Sequence, residues 1–364
     1  MARLRRLYGV AGLTSVLALA AGPALADYLE DARAIADAAT ARSTVWDGPT
    51  TGPAAQPGKR IVFVAGQMSN GGHLGISIGA QEAAEAIGWE LLVIDGKGTV
   101  TGQAEAFSQA LASQPDGIIF GGVDAFLHPE VLDEIEAAGI ALVGWHSAPE
   151  AGPVPGTPMF ANVTTDAMEV ARVAANFVVA DSDGKAGVVI FTDSNYTIAL
   201  AKSGAMEEVI RACGGCEVLS VEDTPLSEVS NRMEPLYTAL MQRFGDRWTH
   251  SLGINDLYFD YGLDVLDPTG QPYAVSAGDG SEAAFQRIRR GEYQVGTVPE
   301  PLYQHGWQLI DELNRQFAGE EWSGYIAPVK LFVPDNIMYD GGDQNVYDPE
   351  NGYRDHYKAI WGVQ

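Results

Sequence analysis

Short apolar runs alternate with helical stretches along this chain, and the first repeat sets the pattern. Ile61 to Val64 is a continuous apolar run, as expected of a strand buried on both faces. Ser69, Asn70, Gly71 and Gly72 break it. Ile76, Ala80, Ala83, Ala84 and Ile87 then recur at helical spacing, Gly88 stops the helix, and Leu91 to Ile94 reads as a second buried strand. This is a βαβ unit, whose right-handed crossover gives a parallel sheet with helices on both faces. The loop after its first strand opens at the carboxyl edge of the sheet, where open α/β folds bind ligands.

The same alternation continues. Helix 102–113, strand 116–120, helix 129–138, strand 140–144 and a short edge strand 159–162 complete a first lobe. A second series begins with helix 166–180 and strand 186–191. It runs through helix 198–212, strand 217–221, helix 228–244, strands 248–254 and 273–276, helix 281–290 and strand 295–298. A long helix 302–317 and a last strand 329–333 follow. Two such series predict an α/β protein of two similar parallel-sheet lobes. Ahead of them, 27–41 reads as an amphipathic helix and 47–58 as a Pro/Gly/Thr-rich linker, an N-terminal extension packed outside the body or mobile. The tail 334–364 is rich in Asp, Gly, Asn and Tyr. Its Asp348, Glu350, Asn351 and Asp355 lack EF-hand spacing, so a solvated tail pinned by aromatics is expected.

Arg3, Arg5 and Arg6, the apolar run Val10 to Ala20 and the Ala24-Leu25-Ala26 site read as a cleaved secretory signal, residues 1–26. The formal charge is -26, and the leader carries three arginines and no acid, so the mature charge is -26 minus 3, or -29. That charge excludes nucleic acid and anionic membrane surfaces as electrostatic partners, and no membrane insertion is expected after cleavage. The only cysteines are Cys213 and Cys216. A redox pair or a zinc half-site would share that spacing, but no further zinc ligands lie nearby. An oxidising compartment favours a structural disulfide.

Several segments in order resemble the type I periplasmic solute-binding proteins of ABC importers, in the ribose-binding-protein-like, sugar-binding branch. They are the opening IVFVAGQMSNGGHLG, Gln114-Pro-Asp-Gly-Ile-Ile, Leu142-Val-Gly-Trp-His, Gly253-Ile-Asn-Asp, Ser276-Ala-Gly-Asp-Gly and Gly296-Thr-Val-Pro-Glu. The resemblance covers about Lys59 to Val333. It implies a three-segment hinge crossing near Val163, near Pro299 and near Ser323 to Ala327. Lobe 1 would then be 59–163 with 300–322, and lobe 2 would be 164–299 with 323–333. It further implies a periplasmic monomer that captures a small hydroxylated solute, a monosaccharide or polyol, and delivers it to the importer's membrane subunits. A sensor feeding a chemoreceptor or kinase would share these features.

By the same resemblance, ligand contacts come from Asn70, His73, Trp145 and His146 on one side, and Asp193, Tyr196, Asn255, Asp279 and Glu300 on the other. The chemistry agrees: carboxylates accept from adjacent hydroxyls, Asn255 donates and accepts, and Trp145 offers a face for the sugar ring. Trp145 also suits a strand-end core position, and Asp279 or Asn255 a helix cap. The segments 144–147 and 197–200 lack the arginines common in sugar binders of this branch. An electronegative cleft is therefore expected, which opens an amino sugar or another cationic solute as an alternative. No nucleophile elbow or metal quartet is present, and Gly71-Gly72-His73-Leu74-Gly75 is not a dinucleotide fingerprint. No enzymatic activity, metal or cofactor is expected.

Overall fold

The computed structural model describes residues 23–262, 265–267 and 270–364. Most of the predicted signal, residues 1–22, lies outside them, and the first helix, α1 (Pro23–Ala39), already includes the proposed cleavage site. Among the described residues no helix is long and apolar enough to cross a membrane.

Two five-stranded parallel sheets form two lobes. The first contains β1 (Arg60–Ala65), β2 (Glu90–Asp95), β3 (Gly117–Gly121), β4 (Ala141–Trp145) and β5 (Ala161–Val163), in the order β2-β1-β3-β4-β5. The second contains β6 (Gly187–Thr192), β7 (Glu217–Asp223), β8 (His250–Gly253), β9 (Tyr273–Ser276) and β10 (Gln294–Thr297), in the order β10-β9-β8-β6-β7. Read from β7, the second order repeats the first. In each sheet the first strand has neighbours reached in opposite directions, so the following loops diverge and leave a crevice at the strands' carboxyl ends.

The helices follow the apolar spacing. In the first lobe α2 (Gly71–Ile87) and α9 (Leu302–Ala318) cover one face of the sheet, and α3 (Val100–Ala112) and α4 (Pro129–Ala138) the other. The second lobe is covered by α5 (Ala167–Asp181), α6 (Thr197–Ala212), α7 (Val229–Phe244) and α8 (Glu282–Arg290). Asn70 caps α2 by accepting from Gly72 N at 2.8 Å, and Gly88 ends it in the left-handed conformation. Cys213 and Cys216 form a disulfide just beyond α6.

Four expectations are changed or narrowed. β2 is not buried: it lies at the sheet edge, where Leu92 is 53% exposed. The last strand, 329–333, reduces to one antiparallel bridge between Thr297 and Phe332. The N-terminal extension takes the packed alternative rather than the mobile one: α1 lies on the outside of the second lobe, with most of its residues exposed. Ala32 and Ala36 of α1 are buried in the core of the second lobe, and the Tyr28 hydroxyl donates to Val209 O at 2.8 Å. Residues 51–56 then run along the first lobe, where Asn314 donates to Pro53 O and accepts from Gln56 N.

The tail is likewise packed rather than solvated. Ile337 and Tyr347 join Phe285, Ile288 and Phe332 at the second lobe. Helix α10 (Tyr353–Trp361) then buries Tyr353, Tyr357 and Trp361 against α9 of the first. Both ends of the chain thus strap one lobe to the other, beside the connections around 163–166, 298–301 and 319–329.

Candidate ligand-binding site

The site lies where the carboxyl ends of the two sheets face each other. From the first lobe come His73, in the first turns of α2, and His146, just past β4. Tyr196 just ahead of α6, Lys202 within it, Asn255 after β8 and Asp279 after β9 come from the second. With Gly122, Ile198, Ala199, Leu226 and Ile254 they enclose a cavity of about 40 Å³.

Each polar group is oriented by its own loop. His73 Nδ1 accepts the Gln67 N–H at 2.8 Å, which leaves the proton on Nε2, beside Gly122. Burial lowers its pKa to about 4, so the ring is neutral and its Nε2–H is a fixed donor. Asn255 caps the next turn by accepting from Leu257 N at 2.9 Å, and its Nδ2 donates to Asp279 Oδ2. Burial, with Asp193 adding to it, pushes the Tyr196 hydroxyl up to about 12, so it too remains a neutral donor and acceptor. His146 has a φ of 52°, in the left-handed region that few non-glycine residues occupy. Its Nδ1 lies 3.7 Å from Asp279 Oδ1 and its Nε2 3.2 Å from Glu300 Oε1.

Glu300 sits behind this layer, fully buried at the passage from β10 to α9. Thr165, on the neighbouring passage, donates to its Oε2 through both N–H and hydroxyl. Burial opposes its ionisation, but His146, Lys202 and His305 together outweigh burial and hold the carboxyl well below the usual carboxylate range. His305 is itself buried and its pKa lowered to about 4, and its Nδ1 accepts from Trp145 Nε1 at 3.2 Å.

The structure therefore gathers His73, His146, Tyr196, Asn255 and Asp279 around one cavity, with Asn70, Trp145 and Glu300 outside its lining. Asp279 does not cap α8, because Ser281 does. Trp145 presents no free face to the cavity: His146 stacks on it at 3.9 Å between ring centres, 9° from parallel. Asp193 does not line the cavity either. Its oxygens accept from Asn195 and from Leu226 N, so the carboxylate organises two loops.

The expected electronegative cleft is tempered by one cation. Lys202 is buried with its Nζ 4.0 Å from Glu300 Oε1, so a cation is built into the site. A sequence signal for it exists: Lys202 lies four residues after Ile198 and three after Ala199, on the buried face of α6. Asp124 was also missed. Its Oδ2 accepts from both Thr197 N and Thr197 Oγ1 at 2.8 Å and joins the lobes at the cavity's rim. Among the described residues no cluster of three or more His, Cys, Asp or Glu has the geometry to hold a metal ion.

The pattern of a periplasmic binding protein domain matches residues 61–321. No curated protein matches the sequence. Among solved structures, a sugar ABC transporter protein from Yersinia enterocolitica superposes with a TM-score of 0.70 at 16% identity, covering 86% of this chain and 100% of its own. An Agrobacterium vitis solute-binding protein bound to alpha-D-tagatopyranose gives 0.70 at 14% identity, covering 79% and 99%. Another from that organism, with bound allitol, gives 0.65 at 17%, covering 79% and 97%. At these identities the likeness is one of fold. The family match spans most of the chain and coincides with two equivalent sheets that face each other across one cavity, so the chain belongs to the periplasmic binding protein domain family, with the type I fold.

Proposed function

We propose that this protein is the solute-capturing component of an ABC importer, binding a small neutral sugar or polyol between its lobes and presenting the closed form to the membrane subunits. One observation carries the reading: each lobe supplies polar side chains to a single, otherwise apolar cavity, His73 and His146 from one and Tyr196, Lys202, Asn255 and Asp279 from the other. A solute that touches both halves stabilises the closed arrangement, and one that touches a single half does not. The mixture of neutral donors with the carboxylate of Asp279 suits vicinal hydroxyls, each of which donates and accepts. Lys202 beside Glu300 offsets one of the two carboxyls of the site and so weakens the ground for preferring a cationic solute.

In this reading the hinge runs through 163–164, 299–300 and 323–327, the lobe boundaries are those expected from the sequence, and the protein acts as a periplasmic monomer after signal cleavage. It binds its solute in this reading, as members of this family do. The test is a thermal-shift screen of the mature protein against neutral pentoses, hexoses and hexitols beside amino sugars and quaternary amines. A rise in Tm with a neutral sugar or polyol is expected. A rise with the cationic compounds alone overturns the assignment.

A further inference from the structure

We propose that the imidazole of His146 is an internal stand-in for the ring of the solute, and that it sets both the affinity of the site and the size of solute admitted. The inference rests on the reading of this cavity as a sugar or polyol site, and deepens it. A sugar ring needs a flat aromatic face beneath it and carboxylate oxygens at its edge. His146 already has both. Its ring lies on Trp145, 3.9 Å away and 9° from parallel, and its two nitrogens point at the two ionisable carboxyls of the site, 3.7 Å from Asp279 and 3.2 Å from Glu300.

Three features mark the imidazole as displaceable. The residue is held at a φ of 52°, in the left-handed region that glycine occupies most easily, so the backbone here suits a residue without a ring at least as well. Its Nε2 and the Glu300 Oε1 that it faces at 3.2 Å are both buried, and the contact between them is not aligned as a hydrogen bond. A hydroxylated solute can satisfy groups that the imidazole leaves unpaired. The neighbouring polar groups are fixed by contrast, His73 by Gln67 N and Asn255 by Leu257 N. In this arrangement of the lobes the remaining cavity of about 40 Å³ is far below the several hundred Å³ of a usual small-molecule pocket, and the imidazole occupies space that a sugar-sized ring would use.

The test is calorimetric titration of wild type, His146→Gly and His146→Asn with D-ribose, D-galactose, D-tagatose and D-mannitol. Glycine removes the ring and suits the backbone, and asparagine tolerates the same backbone with a shorter side chain. At least one of these compounds is expected to bind His146→Gly about tenfold more tightly than wild type, with His146→Asn between them. Equal or weaker binding to both variants overturns the proposal and makes His146 an ordinary contact. Adding Asp279→Ala to the glycine variant is expected to remove the gain. Persistence of the gain places the compound elsewhere, which overturns the site reading itself, as does absence of binding to every protein in the set.

Discussion

Gly72 of the first lobe and Asp279 of the second touch across the cleft: a Cβ at position 72 would lie 2.5 Å from both the Cβ and the Oδ2 of Asp279. The glycine is required by this close approach and not by its backbone conformation, since position 72 lies in the first turn of α2. Asp279 can approach the amino end of that helix only because no side chain stands there.

The first prediction follows directly. Gly72→Ala leaves α2 intact, because alanine is the better helix former, but obstructs the closed state by roughly 1–3 kcal/mol of overpacking. Solute affinity should fall about 5- to 100-fold while the Tm of the unliganded protein stays within a few degrees of wild type. Calorimetry and thermal melts check both halves.

A second concerns the tail. Trp361 stacks on Trp307 at 5.4 Å between ring centres, 1° from parallel, and its Nε1 donates to Asp311 at 2.8 Å. Trp361→Ala should cost roughly 3–5 kcal/mol, measured by urea unfolding, the range for deleting a buried aromatic. A loss below about 1 kcal/mol would mean that the tail is dispensable to the first lobe.

A third concerns pH. Glu312 is buried on α9, and burial raises its pKa from 4.5 to about 7, despite Ser323 donating to the carboxylate. A raised folded-state pKa means that the group contributes its full stability below about pH 4.5 and loses it as pH rises through about 7. The stability of Glu312→Gln relative to wild type should therefore grow across that window, by on the order of 3 kcal/mol, and then level off. A difference independent of pH would contradict the assignment.

Much of this arrangement is legible in the sequence, and the exceptions have physical causes. The apolar runs placed both sheets because strands buried on two faces leave continuous hydrophobic stretches, as at Phe63 and Ile119. The same rule misjudged β2, where an apolar stretch of similar composition lies at the sheet edge. Strand-end loops pointed to His73, His146, Asn255 and Asp279, because parallel sheets expose those ends to a crevice. Contacts made across the lobes were not visible. Asp124 and Thr197 are 73 positions apart and meet only through the fold. Nor does strand-end position reveal which way a side chain turns, so Asp193 and Trp145 looked like ligand contacts although one organises loops and the other backs His146. The tail's pinning by aromatics was legible, but how much of it is buried was not, because those aromatics are spread among Asp, Gly and Asn.

The central claim is capture of a neutral hydroxylated solute by groups from both lobes, with Asp279 as the carboxylate that reads its hydroxyls. The most direct measurement is calorimetric titration of wild type and Asp279→Ala with the neutral sugar or polyol that gives the largest thermal shift. Loss of a hydrogen-bonded carboxylate predicts binding weaker by about tenfold or more in the variant, with its unliganded melt preserved. Equal affinity in a folded Asp279→Ala protein would contradict the account.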